Sequence, residues 1–224
     1  VDFAPWVGLG RQAAGRYVAQ AAGLDASQAA EAMHRGRLML RDTCKDEPES
    51  HDRVLFAKWG LESMGVNPIP YAEGMHAAYW ETVLHTMERR EGVFELLTRL
   101  KEANIPVGIC TNMLADIQIR KLCLLGLADI CGTLITSEEA GLDKPHAPIF
   151  QLAVKRLGVP AQETLMVGDN FNHDVRGALA AGLQAMWLNV HGQPVPVADT
   201  PAYIASDFPD AARQILRLCD LPTQ

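Results

Sequence analysis

Polar residues that can hold a phosphate group and a metal ion follow short apolar segments of the sequence. Thr111 and Asn112 follow "GIC", Lys144 lies in "LDKP", and Asp169 follows "LMVG", with Asp174 five residues later. A hydroxyl group, an ammonium group and carboxylates can together bind a phosphate and a divalent cation, because the charges offset one another. We therefore predict one phosphate and Mg²⁺ site built from these residues.

Each of these residues also has an ordinary structural role. Thr111 is typical of a helix N-cap, Asp174 can complement a helix dipole, and Lys144 can be a solvated loop lysine. Their order at the ends of successive strands, rather than any single residue, indicates function. We predict that Mg²⁺ keeps Asp169 ionised at the mouth of a buried strand and that Asp174 orients the water ligands of the ion.

Other titratable residues near these motifs are not assigned to catalysis. Thr136 and Glu139 in "TSEEAG" have the spacing of a capping box, in which each side chain bonds the backbone N–H group of the other residue. His146, His173 and His191 do not have the spacing of metal ligands. We therefore predict a structural role for Glu139 and no metal role for the histidines.

The candidate residues belong to an α/β domain that we assign to residues 89–224. Short apolar segments alternate there with amphipathic helical patterns, which predicts βα repeats. The predicted strands lie in "PVGICT", "CGTLIT", "TLMVG", "QAMWLN" and "YIASDF". Such repeats predict a Rossmann-like parallel sheet covered by helices on both faces, with its active groups at the carboxyl ends of the strands.

Residues 10–88 have a different and wholly helical pattern. Four helical segments are separated by breaks rich in Gly, Pro and Asp, which predicts a four-helix domain without strands. In the last segment Met75, Tyr79, Val83 and Met87 recur every fourth residue. This apolar stripe is suited to packing in a small bundle.

Composition and charge exclude several classes of protein. The chain carries 20 basic and 27 acidic side chains, a net charge of −7, which argues against a nucleic-acid-binding or anionic-membrane surface. No apolar segment reaches the roughly 18 residues of a membrane span. The five cysteines form no CxxC pair, which favours a reducing, cytoplasmic location. The expected partner is a small anionic molecule, and the sequence leaves the oligomeric state open.

Three segments of the chain resemble motifs of a known family. The segments "ICTN", "ITSEEAGLDKPHAPIF" and "LMVGDNFNHDVRGA" resemble the second, third and fourth motifs of the haloacid dehalogenase superfamily. Residues 10–88 resemble the type I helical cap of that family, and residues 89–224 resemble its core domain. Residues 91–189 are most similar to the phosphatase subgroup that contains nucleotide and sialic-acid-9-phosphate phosphatases.

The resemblance implies a Mg²⁺-dependent phosphatase that hydrolyses a small-molecule phosphate monoester of the nucleotide or sugar phosphate class. It implies that Thr111 binds the transferring phosphoryl group, that Lys144 neutralises the nucleophile and the phosphate, and that Asp169 ligates Mg²⁺. Asp174 is expected to support the metal, and Asn112 to border the phosphate loop. The helical cap is expected to close over the site and to select the leaving group.

The first motif of the family, an apolar strand ending in DxDxT, is not found in the sequence. In the family its first aspartate attacks phosphorus to give a phosphoaspartyl enzyme, and its second acts as acid and base. Val1 and Asp2 resemble the residues that directly follow this motif, so residues 1–9 are expected to link it to the cap. We expect the parent protein to carry the strand upstream, because burying four large apolar side chains contributes roughly 6–12 kcal/mol.

Three other functions remain open on the sequence. A 2-haloacid dehalogenase belongs to the same superfamily, but its fourth motif lacks the Gly-Asp pair present here as Gly168 and Asp169. A noncatalytic phosphate-binding protein would keep the phosphate pocket without the nucleophile. A signalling receiver domain also uses Asp, Thr and Lys-Pro in this order, but it needs neither the helical insertion nor an aspartate after the lysine.

Overall fold

The structure is a computed structural model that describes residues 4–196 and 200–223. It divides into two compact units, of which the first ends at Glu88 and the second begins at Arg89. Val1 and Asp2, which resemble the residues after the first motif of the family, lie outside the described residues. Within the described ranges, no helix is both long enough and apolar enough to cross a lipid bilayer.

The first unit contains four α-helices, as the sequence predicts. They are α1 (Ala4–Ala22), α2 (Ala26–Thr43), α3 (Arg53–Ser63) and α4 (Ala72–His85), with a 3₁₀ turn at Pro48–His51 before α3. Residues 4–9, for which the sequence predicts a link, lie in α1, so the helix begins before the predicted helical pattern at residue 10. Their role as a link to the first motif stays a prediction. The only proline of this segment lies in the first turn, where a proline does not interrupt a helix.

Two glycines allow α2 and α3 to pack closely. A Cβ atom at Gly36 would lie 2.1 Å from the carbonyl oxygen of Phe56, and one at Gly60 would lie 2.4 Å from the carbonyl oxygen of Ala32. Any larger residue at either position would push the two helices apart.

The predicted apolar stripe of α4 is buried for three of its four residues. Met75, Tyr79 and Val83 are at most 3 % exposed. Met87 lies beyond the end of the helix and is only partly buried. Trp80 is also 3 % exposed and therefore packs in the interior of the unit.

The second unit alternates strands and helices, which confirms the α/β class. Its strands are β1 (Gly108–Thr111), β2 (Thr133–Thr136), β3 (Leu165–Gly168), β4 (Gln184–Leu188) and β5 (Tyr203–Ala205). Its helices are α5 (Val93–Glu102), α6 (Ala115–Leu124), α7 (Ser137–Ala140), α8 (Ala147–Leu157), α9 (Gly177–Ala180) and α10 (Phe208–Leu218). A π-helical turn at Phe171–Arg176 precedes α9. Each predicted strand segment contains one of the five strands.

Successive residues of the strands pack into apolar clusters on opposite faces of the sheet layer. Ile135 of β2 and Trp187 of β4 share one cluster with Phe150 of α8. Met186 of β4 belongs to a second cluster with Ala211 of α10. Helices therefore cover both faces of the layer, as the predicted Rossmann-like architecture requires.

The sheet layer is interrupted between β1 and β3, in keeping with the expectation that the strand of the first motif is missing from these residues. β1 pairs in parallel with β2, while β3, β4 and β5 form a separate parallel sheet in that order. All residues of β1 and β3 are partly exposed, although residues 185–188 of β4 are buried. Cys110 of β1 and Met166 of β3 nevertheless pack against the same apolar cluster. Among the described residues, no strand joins β1 to β3.

A capping box fixes the start of α7 directly after β2 and confirms the predicted role of Glu139. The Thr136 hydroxyl accepts the N–H group of Glu139, and the Glu139 carboxylate accepts the N–H group of Thr136, both at 3.3 Å. Arg156 of α8 forms an ion pair with the same carboxylate. Hydrogen bonds from the Arg156 guanidinium hold the pKa of Glu139 below its ordinary value.

Substituting Arg156→Met is expected to raise the pKa of Glu139, because the hydrogen bonds that favour its ionised form are lost. A carboxyl group with a lowered pKa in the folded state stabilises the protein above its unfolded pKa, and this contribution is lost as the pH falls through the folded pKa. Carbon-13 NMR titration of the glutamate side chains measures the change. The control Lys155→Met should leave the titration of Glu139 unaltered, and an unaltered titration in Arg156→Met would contradict the assignment.

Candidate active site

Lys144 and Asp174 form a buried ion pair at the carboxyl ends of β1 and β3. Lys144 Nζ donates hydrogen bonds to Asp174 Oδ1 at 2.6 Å and to the carbonyl oxygen of Cys110, in β1, at 2.9 Å. The two side chains are only 10 % and 7 % exposed. With so little solvent around them, the attraction between the two charges offsets part of the cost of burying each one.

Asn112 holds the backbone of Lys144 in place. The side-chain oxygen of Asn112 accepts the N–H group of Lys144 at 2.8 Å, and the side-chain amide donates to the carbonyl oxygen of Lys144 at 3.1 Å. This double contact ties the loop between α7 and α8 to the residue that follows β1. Asn112 therefore positions the lysine, while its place at the border of a phosphate loop stays a prediction.

Asp174 packs directly against β3 because Gly168 has no side chain. A Cβ atom at Gly168 would lie 2.3 Å from Asp174 Oδ2. The same oxygen accepts the N–H group of Asn170 at 3.0 Å, and the Asn170 side chain caps the π-helical turn by accepting the N–H group of His173 at 2.9 Å. Such turns are frequent at functional sites. Asp174 thus joins the Lys144 ammonium group to the segment that follows β3.

Substituting Gly168→Ala is expected to destabilise the protein by about 1–3 kcal/mol, the usual cost of overpacking. The added methyl group would overlap the carboxylate of Asp174 and force the ion pair apart. Urea unfolding followed by circular dichroism measures the loss. Gly132→Ala is the matched control, because a Cβ atom there has no neighbour within 4 Å. Equal losses in the two variants would show that Asp174 can move without cost.

Thr111 and Asp169 are each next in sequence to a residue that the ion pair contacts. Thr111 ends β1 and follows Cys110, whose carbonyl oxygen accepts the Lys144 hydrogen bond. Asp169 follows the last residue of β3, against which Asp174 packs. The structure therefore brings the predicted site residues of all three motifs to the same edge of the sheet layer.

The two aspartates of the last motif differ in their burial. Asp169 is exposed, whereas Asp174 is 5 % exposed. The backbone carbonyl of Asp169 accepts the indole N–H group of Trp187 at 3.2 Å, which fixes the main chain at this point. The predicted burial at the position of Asp169 is therefore not observed, while the binding of Mg²⁺ by Asp169 stays a prediction.

The thiol of Cys110 lies in the same environment and titrates accordingly. Burial raises the pKa of Cys110, the Asp174 carboxylate acts in the same direction, and the Lys144 ammonium group opposes both. A thiol with a raised pKa is mostly protonated at neutral pH and is a poor nucleophile. We therefore do not assign a nucleophilic role to Cys110.

The available oxygen donors fit a magnesium ion held mainly through Asp169. Mg²⁺ is usually bound by one or two carboxylates together with water and substrate phosphate. Asp169 offers an exposed carboxylate, whereas both oxygens of Asp174 already accept hydrogen bonds, from Lys144 and Asn170. Within residues 4–196 and 200–223, no three His, Cys, Asp or Glu side chains are grouped so as to hold a metal. A metal at Asp169 therefore needs ligands from water, phosphate or another carboxylate.

Three residues that the sequence analysis did not single out hold the site together. Cys110 supplies a carbonyl oxygen, Asn170 supplies a backbone N–H group and a helix cap, and Trp187 supplies an indole N–H group. Only Asn170 has a sequence signal, because asparagine before a helical segment is a preferred N-cap. The contacts of Cys110 and Trp187 depend on tertiary placement alone.

The sequence matches the model of one protein family over most of its length. Residues 16–182 match the model of the haloacid dehalogenase-like hydrolases, a match that covers most of the chain. The chain therefore belongs to the haloacid dehalogenase-like hydrolases.

Several relatives of the chain are phosphatases. It is 36 % identical over 158 residues to ribulose-1,5-bisphosphate 5-phosphatase from Halopiger xanaduensis, which covers 70 % of this chain and 66 % of that protein. It is 32 % identical over 163 residues to glyceraldehyde 3-phosphate phosphatase from Methanopyrus kandleri, covering 72 % and 68 %. It is 36 % identical over 118 residues to a pyrimidine 5′-nucleotidase from Escherichia coli, covering 52 % of each. The chain thus spans between half and about two thirds of the length of these relatives.

Solved structures share the fold over nearly the whole chain. A 2-haloacid dehalogenase from Pseudomonas syringae has a TM-score of 0.74 and 24 % identity, covering 98 % of this chain and 93 % of that chain. A phosphatase of the same family from Thermococcus onnurineus has a TM-score of 0.70 and 23 % identity, covering 96 % and 90 %. At these identities the similarity establishes the fold and does not distinguish the two activities.

Proposed function

We propose that the chain belongs to a Mg²⁺-dependent phosphatase that hydrolyses a small phosphate monoester, such as a sugar phosphate or a nucleotide. The observation that carries the proposal is the buried ion pair of Lys144 and Asp174, with Thr111 and Asp169 within one residue of its contacts. A fixed ammonium group, a hydroxyl group and an exposed carboxylate beside it provide complementary groups for a phosphate and a cation. The phosphatase relatives support the same reaction class.

Each residue has a role that its contacts support. The Thr111 hydroxyl group binds a phosphoryl oxygen, and the Lys144 ammonium group stabilises the negative charge that develops on the phosphoryl group. Asp169 ligates Mg²⁺, which supplies Lewis-acid stabilisation of the phosphoryl oxygens. Asp174 supports the metal site indirectly, by holding Lys144 and the segment after β3. Asn112 sets the backbone of Lys144.

The nucleophile is, in this proposal, an aspartate on a strand that lies between β1 and β3. Its carboxylate attacks phosphorus and the alcohol leaves, and water then hydrolyses the aspartyl phosphate to regenerate the carboxylate. The interruption of the sheet supports the proposal of a further strand. The strands β1 and β3 are partly exposed, and no described strand joins them. One strand, spaced about 4.8 Å from each neighbour, would pair with both edges.

A phosphatase assay on protein extended upstream of Val1, beside the 224-residue chain, tests the proposal. Sugar phosphates and nucleotides are screened with Mg²⁺ and with EDTA, and we expect Mg²⁺-dependent release of phosphate from the extended protein only. Metal-independent release of halide from 2-haloacids would identify a dehalogenase instead. Phosphate binding without any turnover would identify a noncatalytic phosphate-binding protein. A genuine start codon at Val1 would refute the upstream strand.

A further inference from the structure

The first unit contains a group of arginines outside the site described above. Arg11 lies on α1, Arg37 and Arg41 lie on α2, and Arg53 begins α3. We call these four residues the arginine cluster. Within the part of the chain that the structure describes, none of them forms an ion pair with a carboxylate. In a chain with a net charge of −7, this is a local concentration of positive charge.

Aromatic side chains hold the guanidinium group of Arg53 at the centre of the cluster. Arg53 Cζ lies 4.7 Å from the ring centre of Trp80, 5.2 Å from that of Phe56 and 5.6 Å from that of Tyr79. One terminal nitrogen of Arg53 donates a hydrogen bond to the carbonyl oxygen of His51. Three cation–π contacts therefore fix the position of this charge.

Close helix contacts bring the other arginines to the same end of the unit. Arg37 directly follows the α2 glycine that packs on the carbonyl group of Phe56, and Arg11 follows the α1 glycine that packs on the ring of Tyr79. Arg41 lies one helical turn after Arg37, on the same face of α2. Arg53 contacts the rings of Phe56 and Tyr79, so its guanidinium group lies beside the same helix contacts that Arg37 and Arg11 follow.

Among the residues that the structure describes, the cluster has no negatively charged partner. Burial and repulsion by Arg41, Arg53 and Arg11 lower the pKa of Arg37, and among the groups that act on it only Tyr79 has the opposite effect. The Nε–H group of Arg53 is buried and has no hydrogen-bond acceptor among the described residues. Neighbouring guanidinium groups without a carboxylate repel one another and destabilise the folded protein. A bound anion would offset this repulsion.

We propose that the arginine cluster binds a phosphate group, either as the free ion or as part of an organic phosphate. Guanidinium groups match the oxygens of phosphate with paired hydrogen bonds, and converging groups suit an anion with several acceptor oxygens. The inference rests on the first unit alone, so it does not depend on the proposed function of the second unit.

NMR titration of the full chain with inorganic phosphate, at constant ionic strength, tests the proposal. The indole N–H resonance of Trp80 reports on the cluster, because the ring of Trp80 contacts Arg53. The indole resonance of Trp187 reports separately on the strand-end site, because its N–H group bonds Asp169. A titration with methylphosphonate, which represents the phosphate group of an organic ester, distinguishes the two sources.

We expect the Trp80 resonance to shift in a saturable way as phosphate is added. The phosphate affinity obtained from this shift should be about 10- to 100-fold weaker in Arg37→Gln, the range for loss of charged hydrogen bonds. Arg53→Lys keeps the charge but not the paired donors, and should also weaken binding. Arg35→Gln is the matched control, because Arg35 is exposed on the same helix and does not act on Arg37. A Trp80 resonance that does not respond to either anion, or responds equally in Arg37→Gln, would overturn the proposal whatever Trp187 shows.

Discussion

Removing the carboxylate of Asp174 is expected to lower the free energy of unfolding by about 3–5 kcal/mol, the usual cost of leaving one charge of a buried ion pair without its partner. In Asp174→Ala the Lys144 ammonium group would remain in a site where its side chain is 10 % exposed. The N–H group of Asn170 would also lose its acceptor. Urea unfolding of the 224-residue chain measures the loss.

Asp169→Ala is the control for this prediction, because Asp169 is exposed and five residues away in the same segment. Its effect on stability should lie within about 0.5 kcal/mol, as for most surface substitutions. A double variant, Lys144→Met with Asp174→Leu, should lose less free energy of unfolding than Asp174→Ala, since neither charge of the pair remains buried. Equal stabilities of Asp174→Ala and Asp169→Ala would show that the ion pair does not contribute to folding.

The ion pair of Lys144 and Asp174 also affects the interpretation of a lysine variant. Lys144→Ala leaves the Asp174 carboxylate buried without its ammonium partner, so we expect this variant to be destabilised as well. Loss of activity in Lys144→Ala is therefore not by itself evidence of a catalytic lysine. Asp169 provides the cleaner test of the chemistry, because its side chain is exposed and lies outside the buried ion pair of Lys144 and Asp174.

If the extended protein is the phosphatase proposed above, Asp169→Asn should lower kcat/KM by at least about 100-fold, because a metal ion contributes several kcal/mol of charge stabilisation in the transition state. The exposed position of Asp169 predicts little change in thermal stability. Initial rates over a range of Mg²⁺ concentrations measure both the loss of turnover and the expected rise in the Mg²⁺ requirement.

Asp116→Asn is the matched control for this activity assay. Asp116 is also an exposed carboxylate, in the first turn of α6, the helix after β1. It should retain wild-type turnover and an unaltered Mg²⁺ requirement. If Asp169→Asn behaved in the same way, Asp169 would not be a metal ligand, and the proposed role of Mg²⁺ would have to be revised.

Local sequence patterns were sufficient to predict the elements of both units. The period of apolar residues distinguishes helix from strand without knowledge of distant contacts, so the four helices of the first unit and the five strand segments of the second were predicted correctly. The capping box of Thr136 and Glu139 was predicted for the same reason, since its partners are three residues apart. The boundary at the start of α1 was not, because an early proline fits both a link and a first helical turn.

The sequence by itself determined the class of fold, the family, the order of Thr111, Lys144 and Asp169 at strand ends, and the lack of the strand of the first motif. Only the tertiary structure decided that Asp174 is buried against Lys144 while Asp169 is exposed, and that the break in the sheet lies between β1 and β3. It also decided the convergence of the arginine cluster. These features depend on contacts between residues that lie far apart in the chain, and residue type and spacing do not specify which distant groups meet or how much solvent remains between them.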